Sequence, residues 1–234
     1  MRKSRLLSLM VCGALVLGLS SCGKKEEPKP TVNPNANVPE LPKCVSDDEF
    51  DVSKPVIYMY PEKETKVKVN LELNGGELTC TYPKYDGSWE VIAEPNGTLF
   101  TEDGKEYNYL YWEGTYSGEN ELSEGYCIKG EDTAEFLEVK LEELGLSRKE
   151  ANEFIVYWLP RMESNKYNII SFDTKEYEKY AELSIEPKPD NLIRVFMQFY
   201  GSDEFVDLKE PTVNETPDRN GFTVVEWGGS ELKR

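Results

Sequence analysis

The 234-residue chain contains no histidine. Histidine is the commonest general base near neutral pH and the commonest zinc ligand. Its absence excludes Ser-His-Asp and Cys-His catalysis, together with every zinc site built on histidine. Chemistry in this chain would have to use carboxylates, tyrosines, lysines, arginines and hydroxyl groups, and no catalytic residue can be assigned from the sequence.

Positive charge is also scarce. The chain has 27 Lys and Arg against 44 Asp and Glu, a formal net charge of −17. So acidic a surface repels nucleic acid and anionic lipid headgroups, which excludes nucleic acid as a partner. Since 38% of the residues are hydrophobic, the chain has enough apolar side chains for a core, and the charge describes a surface rather than disorder.

Metal and redox motifs are missing as well. The sequence has neither C-x-x-C spacing nor a D-x-[DN]-x-[DN]-G calcium loop. We therefore predict no metal site and no cofactor. It also shows no internal repeat.

The N-terminus reads as an export signal. Arg2, Lys3 and Arg5 precede an apolar run at residues 6–19, which is too short to span a bilayer comfortably. The run ends in Leu19-Ser20-Ser21-Cys22, which resembles the lipobox of bacterial lipoproteins. The resemblance implies that residues 1–21 are a signal peptide and that Cys22 carries acyl chains that bind membrane lipid. The alternative is an ordinary signal peptide that contains a cysteine by chance.

Residues 22–43 follow as a lipidated cysteine and a Pro-rich tether. Such a segment is extended and reaches up to about 60 Å at roughly 3.1 Å per residue. Loss of the signal leaves 24 basic and 44 acidic residues, a formal charge of −20. We expect the protein to be anchored in the cell membrane or outer membrane and exposed outside the cytoplasm. Cys44, Cys80 and Cys127 remain, either as one disulfide and a free thiol or as three buried thiols.

The folded region is predicted to be α+β. Residues 44–115 contain short alternating segments separated by Asn-Gly and Asp-Gly turns, which favours an antiparallel meander or sandwich. One of these turns, Asn74-Gly75-Gly76, is predicted to close a hairpin. Residues 116–234 are predicted to hold two consecutive helices packed on further strands. The two halves would form one compact body.

The second half contains the predicted centre of the fold. Asp132 with Glu135, and Ser147 with Glu150, have the spacing of helix-capping pairs. Residues 153–161, with the sequence EFIVYWLPR, are rich in aromatic and β-branched side chains and close on a proline before the last arginine. We predict a fully buried central strand here, with Arg161 at its exit.

Two glutamates lie beside tryptophan and glycine, in Trp112-Glu113-Gly114 and Glu226-Trp227-Gly228-Gly229. Paired carboxylates near aromatic rings are typical of glycoside hydrolases. Alternation along a strand, however, places a glutamate and its neighbouring tryptophan on opposite faces. We therefore expect both glutamates at strand ends or in solvent, and Trp112 and Trp227 in the core.

Tyrosines and arginines complete the candidate binding residues. Tyr107, Tyr109 and Tyr111 are predicted to share one strand face, either as a platform for carbohydrate or peptide or as a half-buried sheet face. The arginines are expected to pair with nearby carboxylates; they are Arg161, Arg194 and Arg219.

The segments KPVIYMYP (54–61), YLYWEG (109–114), EFIVYWLP (153–160) and GFTVVEWGG (221–229) resemble those of an uncharacterised group of exported microbial proteins. That resemblance implies one recurrent folded unit and no known activity. Our leading hypothesis is a non-catalytic binding or interaction module of the cell envelope, with a cell-wall glycan or an envelope protein as its partner. The alternatives are a glycan hydrolase using Glu113 and Glu226, or a two-lobed capture protein for a transporter.

Overall fold

The computed structural model describes residues 49–117, 122, 124–172, 174–211 and 216–233. Two short 3-10 turns, Gly130–Asp132 and Leu159–Arg161, flank the first two helices. The helices are α1 (Thr133–Glu143), α2 (Arg148–Trp158) and α3 (Lys175–Tyr180). The strands are β1 (Glu49–Tyr60), β2 (Thr65–Leu73), β3 (Leu78–Tyr82), β4 (Trp89–Ala93), β5 (Leu99–Phe100), β6 (Glu106–Tyr107), β7 (Leu110–Ser117), β8 (Tyr126–Lys129), β9 (Tyr167–Ser171), β10 (Ala181–Glu186), β11 (Asn191–Ser202) and β12 (Thr223–Glu231).

The strands form two sheets, which confirms the predicted α+β class. The larger sheet has the order β3-β7-β1-β12-β11-β9-β8, and the smaller has the order β10-β2-β4-β5-β6. The described pairings are antiparallel except for β11 with β12, which is parallel. Because β10 pairs with β2 and β12 pairs with β1, both halves of the chain contribute to both sheets.

The larger sheet is covered on both faces. Ile57 and Met59 contact side chains of the smaller sheet in what we call the inter-sheet core. Val56 and Tyr58 point the other way, to a helix-side core shared with α1 and α2. A strand buried on both faces needs apolar residues at successive positions, which explains the unbroken apolar run in β1.

The predicted central strand at residues 153–161 is wrong, because this stretch is the C-terminal part of α2 and the 3-10 turn after it. Ser147 and Glu150 form the predicted capping box, so the helix is nucleated before the aromatic run begins. Ala151, Phe154 and Trp158 are buried at helical spacing, while Val156 is 76% exposed. The cap and the 3.6-residue period outweigh the local β preference.

Three further local predictions have different outcomes. Gly75 adopts a positive φ of 90°, but β2 and β3 belong to different sheets, so the predicted hairpin is wrong. The turns containing Gly97 and Gly104 do join β4 to β5 and β5 to β6. Asp132 makes no side-chain cap to α1, contrary to the predicted capping pair; Thr133 instead donates to the Lys129 carbonyl.

Candidate functional site

The seven predicted binding residues divide into two groups. Trp112, Glu226 and Trp227 have no exposed surface and belong to the interior. Tyr109, Tyr111 and Glu113 are half-buried and lie around one irregular point of β1, whereas Arg161 is exposed and contacts Tyr157 of α2. Cys22 lies outside the described residues, as do the signal peptide and the tether.

The irregular point is a β-bulge in the middle of the larger sheet. The register of β1 shifts between Ser53 and Val56 against β12, and between Val52 and Val56 against β7. Within the bulge Lys54 has a φ of 64°, the left-handed region. A residue other than glycine pays roughly 1–2 kcal/mol there, and the following proline further disfavours departure from extended backbone. Strain of this kind is concentrated at functional sites.

Two neighbours hold the bulge in place. The backbone N–H of Lys54 donates to a Glu113 carboxylate oxygen at 3.2 Å. Gly228 on β12 lies against Pro55, so closely that a Cβ on this glycine would approach the proline ring to 2.9 Å. The next residue, Gly229, makes room in the same way for the Trp158 ring. The Trp-Gly-Gly motif is thus explained by close packing.

The bulge directs the Lys54 side chain onto two tyrosines. Its Nζ lies 4.8 Å from the centre of the Tyr109 ring and 5.0 Å from that of Tyr111. It also donates to the Tyr109 hydroxyl at 3.3 Å. Each cation–π contact at a partly exposed site contributes about 0.5–1 kcal/mol. These contacts fix an ammonium group beside two half-buried aromatic rings.

Helix α2 and the 3-10 turn after it contribute Tyr157 and Arg161. The Arg161 guanidinium lies 4.3 Å over the Tyr157 ring and donates to the Tyr157 carbonyl at 2.5 Å. Among the described residues Arg161 has no carboxylate within 4 Å, so the prediction of an ion pair is wrong for this arginine. Ser53 and Glu113 both act on the pKa of Tyr157, so this side chain of α2 lies beside the bulge.

Three phenols of this region, those of Tyr58, Tyr111 and Tyr157, stay protonated at neutral pH because their pKa values are raised. Burial, and then the hydrogen bond to Glu113, raise the pKa of Tyr111 well above its ordinary value. Burial and the bond from its hydroxyl to Glu153, at 2.8 Å, do the same to the pKa of Tyr58. Burial also raises the pKa of Tyr157. These phenols are therefore neutral, and those of Tyr58 and Tyr111 donate hydrogen bonds to Glu153 and Glu113.

We call this surface the tyrosine–lysine site. It presents aromatic rings together with an ammonium, a guanidinium, a carboxylate and phenolic hydroxyls, the combination that suits a polar ligand with flat faces. Sequence reasoning missed two of its members, Lys54 and Tyr157. The Lys-Pro pair at the centre of an apolar strand was the available signal for Lys54. The site consists of Lys54, Tyr109, Tyr111, Glu113, Tyr157 and Arg161.

Tyr107 does not belong to it. This residue lies on β6 in the smaller sheet, where its ring packs edge-on against Tyr82 at 5.2 Å. The predicted row of three tyrosines is therefore wrong, because the chain passes between sheets after Tyr107. Only Tyr109 and Tyr111 stay together.

The Glu226 carboxylate is enclosed in the interior of the protein and is not exposed to solvent. Its carboxylate accepts from Arg194 Nε at 2.7 Å and from Trp112 Nε1 at 3.1 Å. This pair is fully enclosed between the sheets, since the Arg194 side chain is only 5% exposed. The expected pairing of Arg194 is confirmed, whereas the expected solvent or strand-end position of Glu226 is wrong.

Glu113 and Glu226 do not share a cleft. Trp112 and Glu226 face the inter-sheet core, and alternation along β7 turns Glu113 to the helix side. The hydrolase alternative requires both carboxylates to converge on one glycosidic bond, and the larger sheet separates them. Nor do the described residues form two lobes, as a capture protein would need; they belong to one compact unit.

A second buried ion pair fixes the start of α2. Arg219 donates to both oxygens of Glu150 at 2.9 Å, and the Tyr60 hydroxyl donates at 2.6 Å. Burial alone would raise the pKa of Glu150, but the bonds from Arg219, Tyr60 and the Ser147 backbone outweigh it and lower that pKa. The predicted pairing of Arg219 is confirmed.

Searches against protein families, curated proteins and solved structures each returned no match. Across the described ranges no helix has the length and apolar character needed to cross a bilayer. Cys80 and Cys127 are free thiols, which excludes a disulfide between them, and Cys44 lies outside the described residues. Within the same ranges, no three acidic or cysteine side chains converge as a metal site would require.

Proposed function

We propose that the protein is a lipid-anchored component of the cell envelope whose folded body is a non-catalytic binding module. In this proposal the Cys22 acyl chains hold the protein at the membrane and the Pro-rich tether lifts the acidic body away from the headgroups. Anchoring by several acyl chains is stable because each buried methylene contributes about 0.8 kcal/mol.

The ligand contact in this proposal is the tyrosine–lysine site, and the ligand is a cell-wall glycan. The observation that carries it is the strained Lys54 in the bulge, whose ammonium lies against Tyr109 and Tyr111. A strained residue persists only where its surroundings impose it, and such positions cluster at ligand-binding surfaces. Tyrosine rings offer flat apolar area for sugar rings, and the ammonium, guanidinium and hydroxyls offer hydrogen bonds.

The binding half of the proposal is tested with purified chain on a glycan array and by sedimentation with peptidoglycan. We expect Tyr109→Ala and Tyr111→Ala each to lower binding about tenfold, the equivalent of about 1.4 kcal/mol. Phe205→Ala is the matched control, because this aromatic side chain is 63% exposed and packs on Tyr167 of β9, near the opposite edge of the larger sheet from β7. Equal binding by all three variants and the wild type would reject the site.

The anchoring half has a separate test. The Cys22→Ser chain, expressed in a bacterium that processes lipoproteins, should leave the detergent phase after phase partitioning and be lost from the membrane fraction. Continued attachment of this variant to membranes would contradict the lipid anchor without bearing on the binding site.

A further inference from the structure

The larger sheet contains a gap beside β11. Strand β9 ends at Ser171, which lies opposite Gln198, whereas β11 extends back to Asn191. Residues 192–196 of β11 therefore have β12 on one side and, among the described residues, no paired strand on the other. We call this gap the sheet notch.

The backbone polarity of β11 shows which groups face the notch. The Phe199 carbonyl accepts from the Leu232 N–H at 2.8 Å, and the Asn191 N–H donates to the Phe222 carbonyl at 3.2 Å. Both bonds run toward the β12 side. Since successive residues of a strand direct their N–H and C=O groups to opposite edges, those of Leu192 and Arg194 point into the notch. No described backbone group pairs with them.

A cavity of about 590 Å³ occupies this position, within the range of ligand-binding pockets. Ile193, Val195 and Leu144 provide apolar lining that is continuous with the helix-side core. Thr174 and Glu178 provide polar lining. The Leu192 side chain, at the end of the unpaired edge, is 43% exposed.

We propose that the sheet notch binds an extended peptide segment of a partner protein, which adds a strand along residues 192–196. An unpaired sheet edge supplies main-chain hydrogen bonds in the register that a peptide needs. The lining favours an alternating peptide, with apolar side chains toward Ile193, Val195 and Leu144 and polar side chains toward Thr174 and Glu178. This site is independent of the tyrosine–lysine site.

One substitution can block the notch edge without disturbing the sheet. Leu192→Pro removes an N–H that points into the notch, so no bond to β12 is lost, and proline is tolerated on an unpaired strand edge. Leu192→Ala is the matched control, because it shortens the same side chain and keeps the N–H. A comparison of the two isolates the backbone donor.

The experiment measures residue-level amide exchange in the purified full-length chain, with the probe peptide acetyl-Thr-Val-Thr-Val-Thr-amide. Without peptide, the Leu192 and Arg194 amides should exchange at least about tenfold faster than those of Ile193 and Val195, because no group in the described part of the chain pairs with them. The peptide should slow both amides. Leu192→Pro should weaken its binding by about tenfold or more, and Leu192→Ala by less than about threefold.

A second probe keeps the test decisive if Leu192→Pro unfolds. The peptide acetyl-Thr-Pro-Thr-Pro-Thr-amide cannot pair as a strand and should not bind to the wild type. Slow exchange of Leu192 and Arg194 without peptide would show an edge already paired and overturn the proposal. So would equal binding of both peptides, or no binding of the first at roughly millimolar concentration.

Discussion

Lys54 has a left-handed backbone conformation. We therefore predict that glycine is more stable than alanine at this position, which is the reverse of their order in an ordinary strand. Lys54→Ala and Lys54→Gly both remove the ammonium and its contacts with Tyr109 and Tyr111. The two variants differ in whether the residue in the bulge can adopt a φ of 64° without a Cβ penalty. The difference in their free energies of unfolding therefore measures the backbone alone.

Two opposing effects set the size of that difference. In regular secondary structure glycine is roughly 0.5–1 kcal/mol less stable than alanine, because the unfolded chain loses more freedom on folding. In the left-handed region alanine keeps the cost of roughly 1–2 kcal/mol that glycine avoids. Lys54→Gly should thus be more stable than Lys54→Ala by about 0.5–1 kcal/mol.

Urea unfolding followed by tryptophan fluorescence measures both variants. Lys68 provides the control pair, because it is an exposed residue within the regular strand β2. There the order should reverse, with Lys68→Ala more stable than Lys68→Gly by about 0.5–1 kcal/mol. If alanine is also the more stable choice at position 54, the bulge does not hold a left-handed residue and the reasoning fails.

Three further predictions concern the interior. Arg194→Met should lower the free energy of unfolding by about 3–5 kcal/mol, because it leaves Glu226 charged and buried; the double variant Arg194→Met/Glu226→Gln should recover most of this in urea unfolding. The pKa of Glu150 is lowered by folding, so the stability that this carboxylate contributes is present above its usual pKa of 4.5 and lost as the pH falls below it. The difference in stability between the wild type and Glu150→Gln should therefore be largest near neutral pH and shrink on acidification, and a difference that grows in acid would contradict the pairing with Arg219. Gly229→Ala places a Cβ 2.7 Å from the Trp158 ring and 2.6 Å from the Met197 carbonyl, and should cost about 1–3 kcal/mol in thermal unfolding; an unchanged midpoint would show that both the ring and the backbone of β11 can move aside.

The sequence correctly predicted those elements in which the hydrophobic period and the residues at the boundaries indicate the same structure. β2 alternates apolar and polar residues in the sequence and alternates buried and exposed side chains in the structure. The Ser147–Glu150 box begins a helix where expected. The failure at residues 153–161 has a physical cause: a short run of aromatic and β-branched residues suits a strand or a buried helix, and only the preceding cap decides between them.

Arrangements that depend on distant partners were beyond the sequence. Nothing near Asn74 indicates that the chain leaves one sheet for the other, so the turn sequence there predicts a hairpin that the structure does not contain. The bulge at Lys54 arises from the register of β1 against two neighbouring strands, and the meeting of Tyr157 with this bulge arises from the packing of α2. Tyr109, Tyr111, Glu113 and Arg161 could be nominated by residue type, but their proximity could not.

The most direct test of the binding proposal is the affinity of Lys54→Gly for purified peptidoglycan. This variant removes the ammonium and relieves the backbone strain at position 54, and its free energy of unfolding, measured alongside, separates a loss of binding from a loss of folding. The proposal predicts affinity at least about tenfold below that of the wild type, with a free energy of unfolding no lower than that of Lys54→Ala. Wild-type affinity in this variant would contradict the assignment of the tyrosine–lysine site.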